Sequence, residues 1–299
     1  MKITLALLFF LFSFPCFAQT EGTATSSDSA LIYYRTFGEG KPLLIINGGP
    51  GMNSNGFEDI AKKLSKHNKT IIYDQRGTGK SILADLNTST VTMKLMVDDM
   101  ECLRKELKIE KWSILGHSFG GMLAAYYATF YPEHIDHLIF SSSGGLDLSL
   151  LNDVQSGLQS KLRSEEKKSL AKWSQKIDDG DTSHFARLQR GMALAPAYVV
   201  DRKWIPIIAE RLTQGNSKLN QLIWDDLQKI KFDCKEKLKS FGQPVLILQG
   251  DQDILNPEIA KTAHRILKNS KLVFLKHSGH YGWLDNEDQY MKEVKAFLE

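Results

Sequence analysis

From residue 31 onward, short unbroken apolar runs alternate with longer stretches in which apolar side chains recur every three or four positions. The runs at 31–37 (LIYYRTF), 42–48 (PLLIING), 70–75 (TIIYDQ), 112–117 (WSILGH), 137–142 (HLIFSS), 244–250 (PVLILQG) and 271–276 (KLVFLK) predict strands. The stretches at 57–67, 91–109, 119–131, 257–267 and 287–299 predict helices, the clearest being 91–109 with its stripe of Met93, Met96, Val97, Met100, Leu103 and Leu107. A strand that is apolar on both faces has to be covered on both sides. Such strands separated by helices imply a mainly parallel sheet between two helical layers.

Between residues 146 and 239 the strand signal stops. There Leu158, Leu162, Leu170, Trp173 and Ile177 keep helical spacing between polar residues. The expected organisation is therefore an α/β core over 19–145 and 240–299, interrupted by a helical cap over 146–239. Asn256 followed by Pro257 supplies a helix cap and a first-turn residue, and so ends the loop that follows the strand at 244–250.

The first 18 residues, MKITLALLFFLFSFPCFA, carry one lysine, then an apolar run too short to span a bilayer, then small residues at the cleavage positions. They read as a secretory signal peptide cut after Ala18, which predicts a secreted or periplasmic protein without a stable membrane anchor. A lipoprotein signal ending at Cys16 is the weaker alternative, because Phe14 and Pro15 stand where small residues are wanted. A net charge of +3 over 299 residues argues against nucleic acid or an anionic membrane as a partner. After cleavage only Cys102 and Cys234 remain, too few for a disulfide framework or a cysteine zinc site, and their pairing stays open. The oligomeric state is left open as well.

One strand ends on a feature that packing alone does not explain. Gly116-His117-Ser118-Phe119-Gly120 fits G-x-S-x-G, a strand-to-helix turn whose glycines permit a tight backbone and push a serine hydroxyl clear of the sheet. A serine hydroxyl is a weak nucleophile at neutral pH, so it needs a histidine base and a carboxylate to orient that base. In this arrangement the chain order is serine, acid, histidine, each after a strand. Asp251 and Asp253 follow the strand at 244–250, and His277 and His280 follow the strand at 271–276. Asp253 and His280 are preferred, because each lies further from its strand end and Gly279 frees the backbone beside the histidine. Oxyanion donors are expected from the backbone N–H of Phe119 and from the Asn47-Gly48-Gly49-Pro50-Gly51 loop, with Gly49 as the second donor. His117 is expected to pack beneath the serine.

At these residues the chain resembles the α/β-hydrolase superfamily, and more narrowly the proline iminopeptidases. The likeness is carried by NGGPG (47–51), DQRGTGKS (74–81), GHSFGG (116–121), GDQD (250–253) and SGHYGWLDNEDQY (278–290), and it is faint in the cap. It implies a hydrolase that removes an N-terminal proline or other residue from a short peptide, beneath a helical cap, through an acyl-enzyme and without metal or organic cofactor. Carboxylester or other small-molecule acyl hydrolysis is the alternative, and a catalytically silent binding protein is a more distant one. The cap is expected to line an apolar substrate pocket with residues such as Tyr198, Trp204 and Trp224.

Two departures bear on this reading. Asn47 stands where that family usually has histidine. The cap positions expected to carry acids for the substrate's free amine read Gln189 or Gln221, leaving Glu210 or Asp201 as substitutes, and Ile254 follows Asp253. An ammonium buried without an anion is costly to desolvate. DQRGTGKS also invites comparison with a phosphate-binding P-loop, but Asp74 occupies the first glycine position and no amphipathic helix follows Lys80 and Ser81. Asp74 and Arg76 are instead expected to brace neighbouring loops.

Overall fold

A computed structural model describes residues 19–299, so the leader expected over 1–18 lies outside the described residues. The core begins with β1 (Gln19–Thr25), β2 (Leu31–Phe37), β3 (Lys41–Ile46), α1 (Glu58–Leu64), β4 (Asn68–Tyr73), α2 (Met93–Glu106), β5 (Trp112–His117), α3 (Phe119–Ala128) and β6 (Ile135–Ser141). It resumes with β7 (Val245–Gly250), α10 (Pro257–Ile266), β8 (Ser270–Leu275), α11 (Gly282–Asp285) and α12 (Glu287–Leu298). The intervening α4 (Val154–Lys161), α5 (Ser164–Asp178), α6 (His184–Leu194), α7 (Ile205–Leu212), α8 (Ser217–Lys229) and α9 (Lys235–Leu238) bring no strand into the sheet.

The eight strands lie in the order β1-β2-β4-β3-β5-β6-β7-β8. β2 runs antiparallel to both β1 and β4, and every other pair is parallel. β1 is an addition to the pattern read from the sequence. Its residues are polar or small and only Ala24 is buried, so it has no hydrophobic signature and forms by antiparallel pairing along β2, from Gln19 opposite Phe37 to Thr25 opposite Leu31.

Successive side chains on a strand point to opposite faces. Leu44 and Ile46 of β3 accordingly join one core layer, with the buried stripe of α2 and with α3, while Leu43 and Ile45 join the other, with α1 and α12. The stripe of α2 is held in register by a Thr92 cap, whose side chain accepts a hydrogen bond from the Leu95 N–H.

Parallel pairing aligns the strand ends. Ile46 pairs with Gly116, Gly116 with Phe140, and Gly250 with Leu275, so the loops after β3, β5, β7 and β8 leave from one edge of the sheet. In open α/β sheets that edge is where ligands bind. The loop after β4 braces the same edge. Asp74 accepts hydrogen bonds from Ser54 N–H at 2.9 Å, Ser54 Oγ–H at 2.7 Å and Lys80 N–H at 2.8 Å. Arg76 is fully buried and donates to Asp99 at 2.8 and 2.6 Å, to Asp28 at 2.9 Å and to the Thr90 carbonyl at 2.7 Å. The segment thus serves as a structural clamp.

The helical segment leaves and re-enters the core at one neck. Asp147 and Asp233 form an antiparallel bridge there, and Cys234 N–H donates to the Leu146 carbonyl at 2.8 Å. Cys102 and Cys234 are both free thiols, and burial pushes the Cys234 thiol up to about 12.

Candidate active site

β5 delivers Ser118 in a left-handed conformation, φ 54° and ψ −121°, which is rare for a residue with a side chain and is characteristic of a strained functional turn. α3 begins at the next residue, so the hydroxyl is held where strand turns into helix. Two glycines make this approach possible. A Cβ on Gly120 would lie 2.3 Å from the Ile46 carbonyl oxygen, and a Cβ on Gly48 would lie 2.6 Å from the Ser118 Cβ. Only glycine lets α3 and the loop after β3 close in on the serine.

The loops after β7 and β8 bring Asp253 and His280 together, with His280 Nδ1 and Asp253 Oδ1 2.8 Å apart. Both side chains are nearly sealed from solvent, at 4% and 1% exposed. The other carboxylate oxygen of Asp253 accepts from Gln249 Nε2 at 2.8 Å, and Oδ1 also accepts from the Leu255 N–H at 3.2 Å. Such a set of donors fixes the carboxylate, and the carboxylate fixes the imidazole. Asp251 and His277 belong to the loop frame: the Asp251 carboxylate accepts from the backbone N–H groups of His277 and Ser278, both at 3.1 Å.

Ser118 and His280 line one cavity of about 130 Å³ together with Gly49, Phe119, Tyr198 and Trp224. Its remaining side chains are largely apolar, and no carboxylate lines it. Among the described residues, the backbone N–H groups of Gly49 and Phe119 donate to no protein acceptor. Trp204 does not line this cavity, contrary to expectation. It precedes α7, where it packs half-buried against the core layer of α1 and α12, because the helix it starts turns its indole away from the serine.

His117 packs beneath the serine. Its ring centroid is 4.7 Å from that of His280, 5.0 Å from Tyr281 and 4.8 Å from Trp283. Among the described residues, neither ring nitrogen has a protein hydrogen-bond partner. Burial, and then the nearby His280 and Arg211, hold its pKa well below the ordinary histidine range, so the ring is neutral.

Three features were not legible beforehand. Arg211, on α7, is buried at 3% exposure without a carboxylate. It donates to the Gly48 carbonyl at 3.0 Å, the Asn53 carbonyl at 3.4 Å and the Tyr281 hydroxyl at 3.3 Å, and lies 4.7 Å above the Phe57 ring. Asp285, on α11, accepts from Gly279 N–H at 2.8 Å, Val200 N–H at 3.0 Å and Asp201 N–H at 3.0 Å. The His280 N–H in turn donates to the Tyr198 carbonyl at 2.8 Å. The helical insertion is therefore tied directly to the histidine loop. Gln249, the last side chain before the end of β7, is the third. Only its position at a strand end could have pointed to it.

The residues considered for holding a substrate amine do not reach the cavity. Glu210 pairs with His184 at 2.9 Å on the surface, Asp201 pairs with Lys203 at 2.7 Å, and Gln221 donates to Asp225 at 2.6 Å. Gln189 does not line the cavity either.

A strained serine at a strand-to-helix turn, with an Asp–His pair from the two following strand ends, is a recurrent arrangement on this sheet topology. A family model described as "alpha/beta hydrolase fold" matches residues 41–287. The chain belongs to the alpha/beta hydrolase family. Within it, this hydrolase stands with the proline iminopeptidases. It is 28% identical over 280 residues to the proline iminopeptidase of Lactobacillus helveticus, covering 89% of this chain and 94% of that protein. It is 30% identical over 281 residues to that of Lactobacillus crispatus, with the same coverage of 89% and 94%. Among solved structures, an esterase from Exiguobacterium antarcticum superposes with a TM-score of 0.70 at 20% identity, covering 92% of this chain and 98% of that one. At that identity the likeness is one of fold.

Proposed function

We propose that the protein is an exported serine hydrolase that works through an acyl-enzyme and releases an N-terminal residue, proline foremost, from short peptides. The observation that carries this reading is the sealed Asp253–His280 pair at 2.8 Å, whose imidazole opens into the same 130 Å³ cavity as the strained Ser118. In the proposed reaction Ser118 Oγ attacks the scissile carbonyl carbon while His280 Nε2 takes its proton. Asp253 accepts the Nδ1–H and stabilises the imidazolium. The N–H groups of Gly49 and Phe119 take the developing oxyanion. His280 then gives its proton to the leaving amine, which departs and leaves an ester on Ser118. Water, deprotonated by His280, attacks that ester, and His280 returns the proton to Ser118 Oγ as the acid leaves. None of these steps calls on a metal or an organic cofactor.

The peptide-terminal specificity draws on kinship with the proline iminopeptidases and on cavity size. A space of about 130 Å³ is close to the roughly 150 Å³ that accepts one benzene ring, so it suits a single pyrrolidine. A second reading, carboxylester hydrolysis, is favoured by one observation: no carboxylate lines the cavity to neutralise a free ammonium. Export rests on the leader at residues 1–18, and N-terminal sequencing of secreted material should begin at Gln19.

Two measurements test the function. A fluorophosphonate probe should label the protein, and Ser118→Ala should abolish labelling. Label retained in that variant removes Ser118 as nucleophile. Proline arylamide should be cleaved faster than its N-acylated form and faster than a short acyl ester. A rate indifferent to blocking the amine overturns the aminopeptidase reading in favour of the ester one.

A further inference from the structure

A second chamber, of about 500 Å³, adjoins the catalytic cavity and shares Pro50, Met52, Tyr198 and Leu212 with it. Its walls come from α5, α6 and the start of α8, and its charged side chains are Arg187, Arg190 and Asp178. Arg187 and Arg190 are three residues apart on α6, so they present to one side of that helix. Among the described residues neither forms an ion pair, and Arg190 Nε donates only to the neutral Ser174 Oγ at 3.1 Å. Asp178, at the end of α5, is exposed at the rim. Arg190 also acts toward the catalytic cavity. Burial, then Tyr281, push the Tyr198 phenol above its ordinary pKa, and the charges of Arg190 and Arg211 pull it back. The Tyr198 ring is 5.6 Å from that of His280.

Two guanidinium groups thus line the outer chamber against one carboxylate, the exposed Asp178, and Asp253 is committed to His280. A guanidinium is a planar fork matched to a carboxylate, and the hydrogen bonds it forms there are stronger than neutral ones. Arg187 and Arg190 are a pair of such forks outside any ion pair among the described residues, in the chamber that adjoins the ring-sized cavity.

We infer that the outer chamber is a carboxylate-binding subsite, in which Arg187 and Arg190 hold the free C-terminal carboxylate of a short peptide while its first residue occupies the inner cavity. The inference rests on the peptidase reading above and sharpens it. The preferred substrates are peptides short enough for their terminal carboxylate to reach α6, and long or C-terminally amidated chains are poor ones. The peptide segment after the scissile bond crosses between the chambers along Met52, Tyr198 and Leu212.

The test follows protection of Ser118 from fluorophosphonate labelling, measured as initial labelling rates in the presence of the dipeptide Pro-Ala or its C-terminal amide. In the wild type, Pro-Ala should half-protect at about tenfold lower concentration than the amide, the ratio expected from one charge-assisted contact. In Arg187→Gln/Arg190→Gln the two forms should protect within about twofold of one another, and Arg187→Lys/Arg190→Lys should retain part of the preference. Equal protection by both forms in the wild type overturns the subsite, as does protection by neither, or a preference that survives the glutamine variant. Failure of the peptidase reading is seen separately, as lack of cleavage of proline arylamide, which carries no carboxylate.

Discussion

Asp253 receives the His280 ring N–H, the Gln249 side-chain amide and the Leu255 backbone N–H, so its two oxygens have little freedom to rotate. Replacing it with asparagine keeps the shape but lets an NH2 group face His280 Nδ1, which favours the tautomer that cannot accept the serine proton. Asp253→Asn should therefore lower kcat on a proline arylamide about 10⁴-fold while leaving the folded state intact, checked by steady-state kinetics beside thermal unfolding. The chemical classes at this site were readable from G-x-S-x-G and from acids and histidines after the right strands. Choosing within each pair called for a judgement of loop reach. The structure shows what the other aspartate does: Asp251 turns back to the N–H groups of His277 and Ser278, a purely local task. Arg211 gave no comparable signal, because its partners on the loop after β3 lie far away in sequence and are backbone carbonyls, whose positions no side-chain pattern reports.

At the scale of elements, the junction between the helical insertion and the histidine loop is made by one carboxylate beside the His280 N–H bond to the Tyr198 carbonyl. Asp285 of α11 gathers the N–H groups of Val200, Asp201 and Gly279, from segments 85, 84 and 6 residues away. Burial raises its pKa even against those three donors, so the contact is made by a group that is held at some expense in solvation. Asp285→Ala should strand three donors at about 1–3 kcal/mol for each that water cannot reach. The expected outcome is a lowered Tm, faster amide exchange at Val200 and Gly279, and a fall in kcat with little change at distant core amides. Asp285→Asn, which keeps an acceptor, should recover part of each. Unchanged exchange at Gly279 would show that the loop is held by packing instead. β1 belongs to the same scale. Its polar strand is stabilised by backbone pairing with β2, which periodicity cannot report.

Across the whole molecule, acid sensitivity should come from buried carboxylates that folding keeps charged. Burial alone would raise Glu101, but hydrogen bonds from Arg104, Tyr127 and His134 outweigh it and bring its pKa from 4.5 down to about 2. A depressed folded-state pKa gives stability that is present above the unfolded value and disappears as the pH falls toward the folded one. Stability measured by urea unfolding should therefore drop between about pH 4.5 and about pH 2, and Glu101→Gln should flatten that slope while lowering stability at neutral pH. An unchanged slope would place the acid-sensitive charge elsewhere. This cluster joins α2, α3 and the turn before β6 through side chains.

The sequence by itself determined the parallel sheet, the positions of most of its strands and helices, the helical interruption and the serine at the end of β5. Each of these is written in hydrophobic period or in glycines beside one hydroxyl, which are local quantities. The tertiary structure alone decided that Trp204 turns away from the cavity while Tyr198 and Trp224 face it, that Asp285 ties the insertion to the histidine loop, and that Arg187 and Arg190 flank a chamber beside the serine. Those outcomes depend on how helices between distant strands rotate and pack over the sheet edge, and the free energy of that packing is shared among residues that no stretch of the chain brings together.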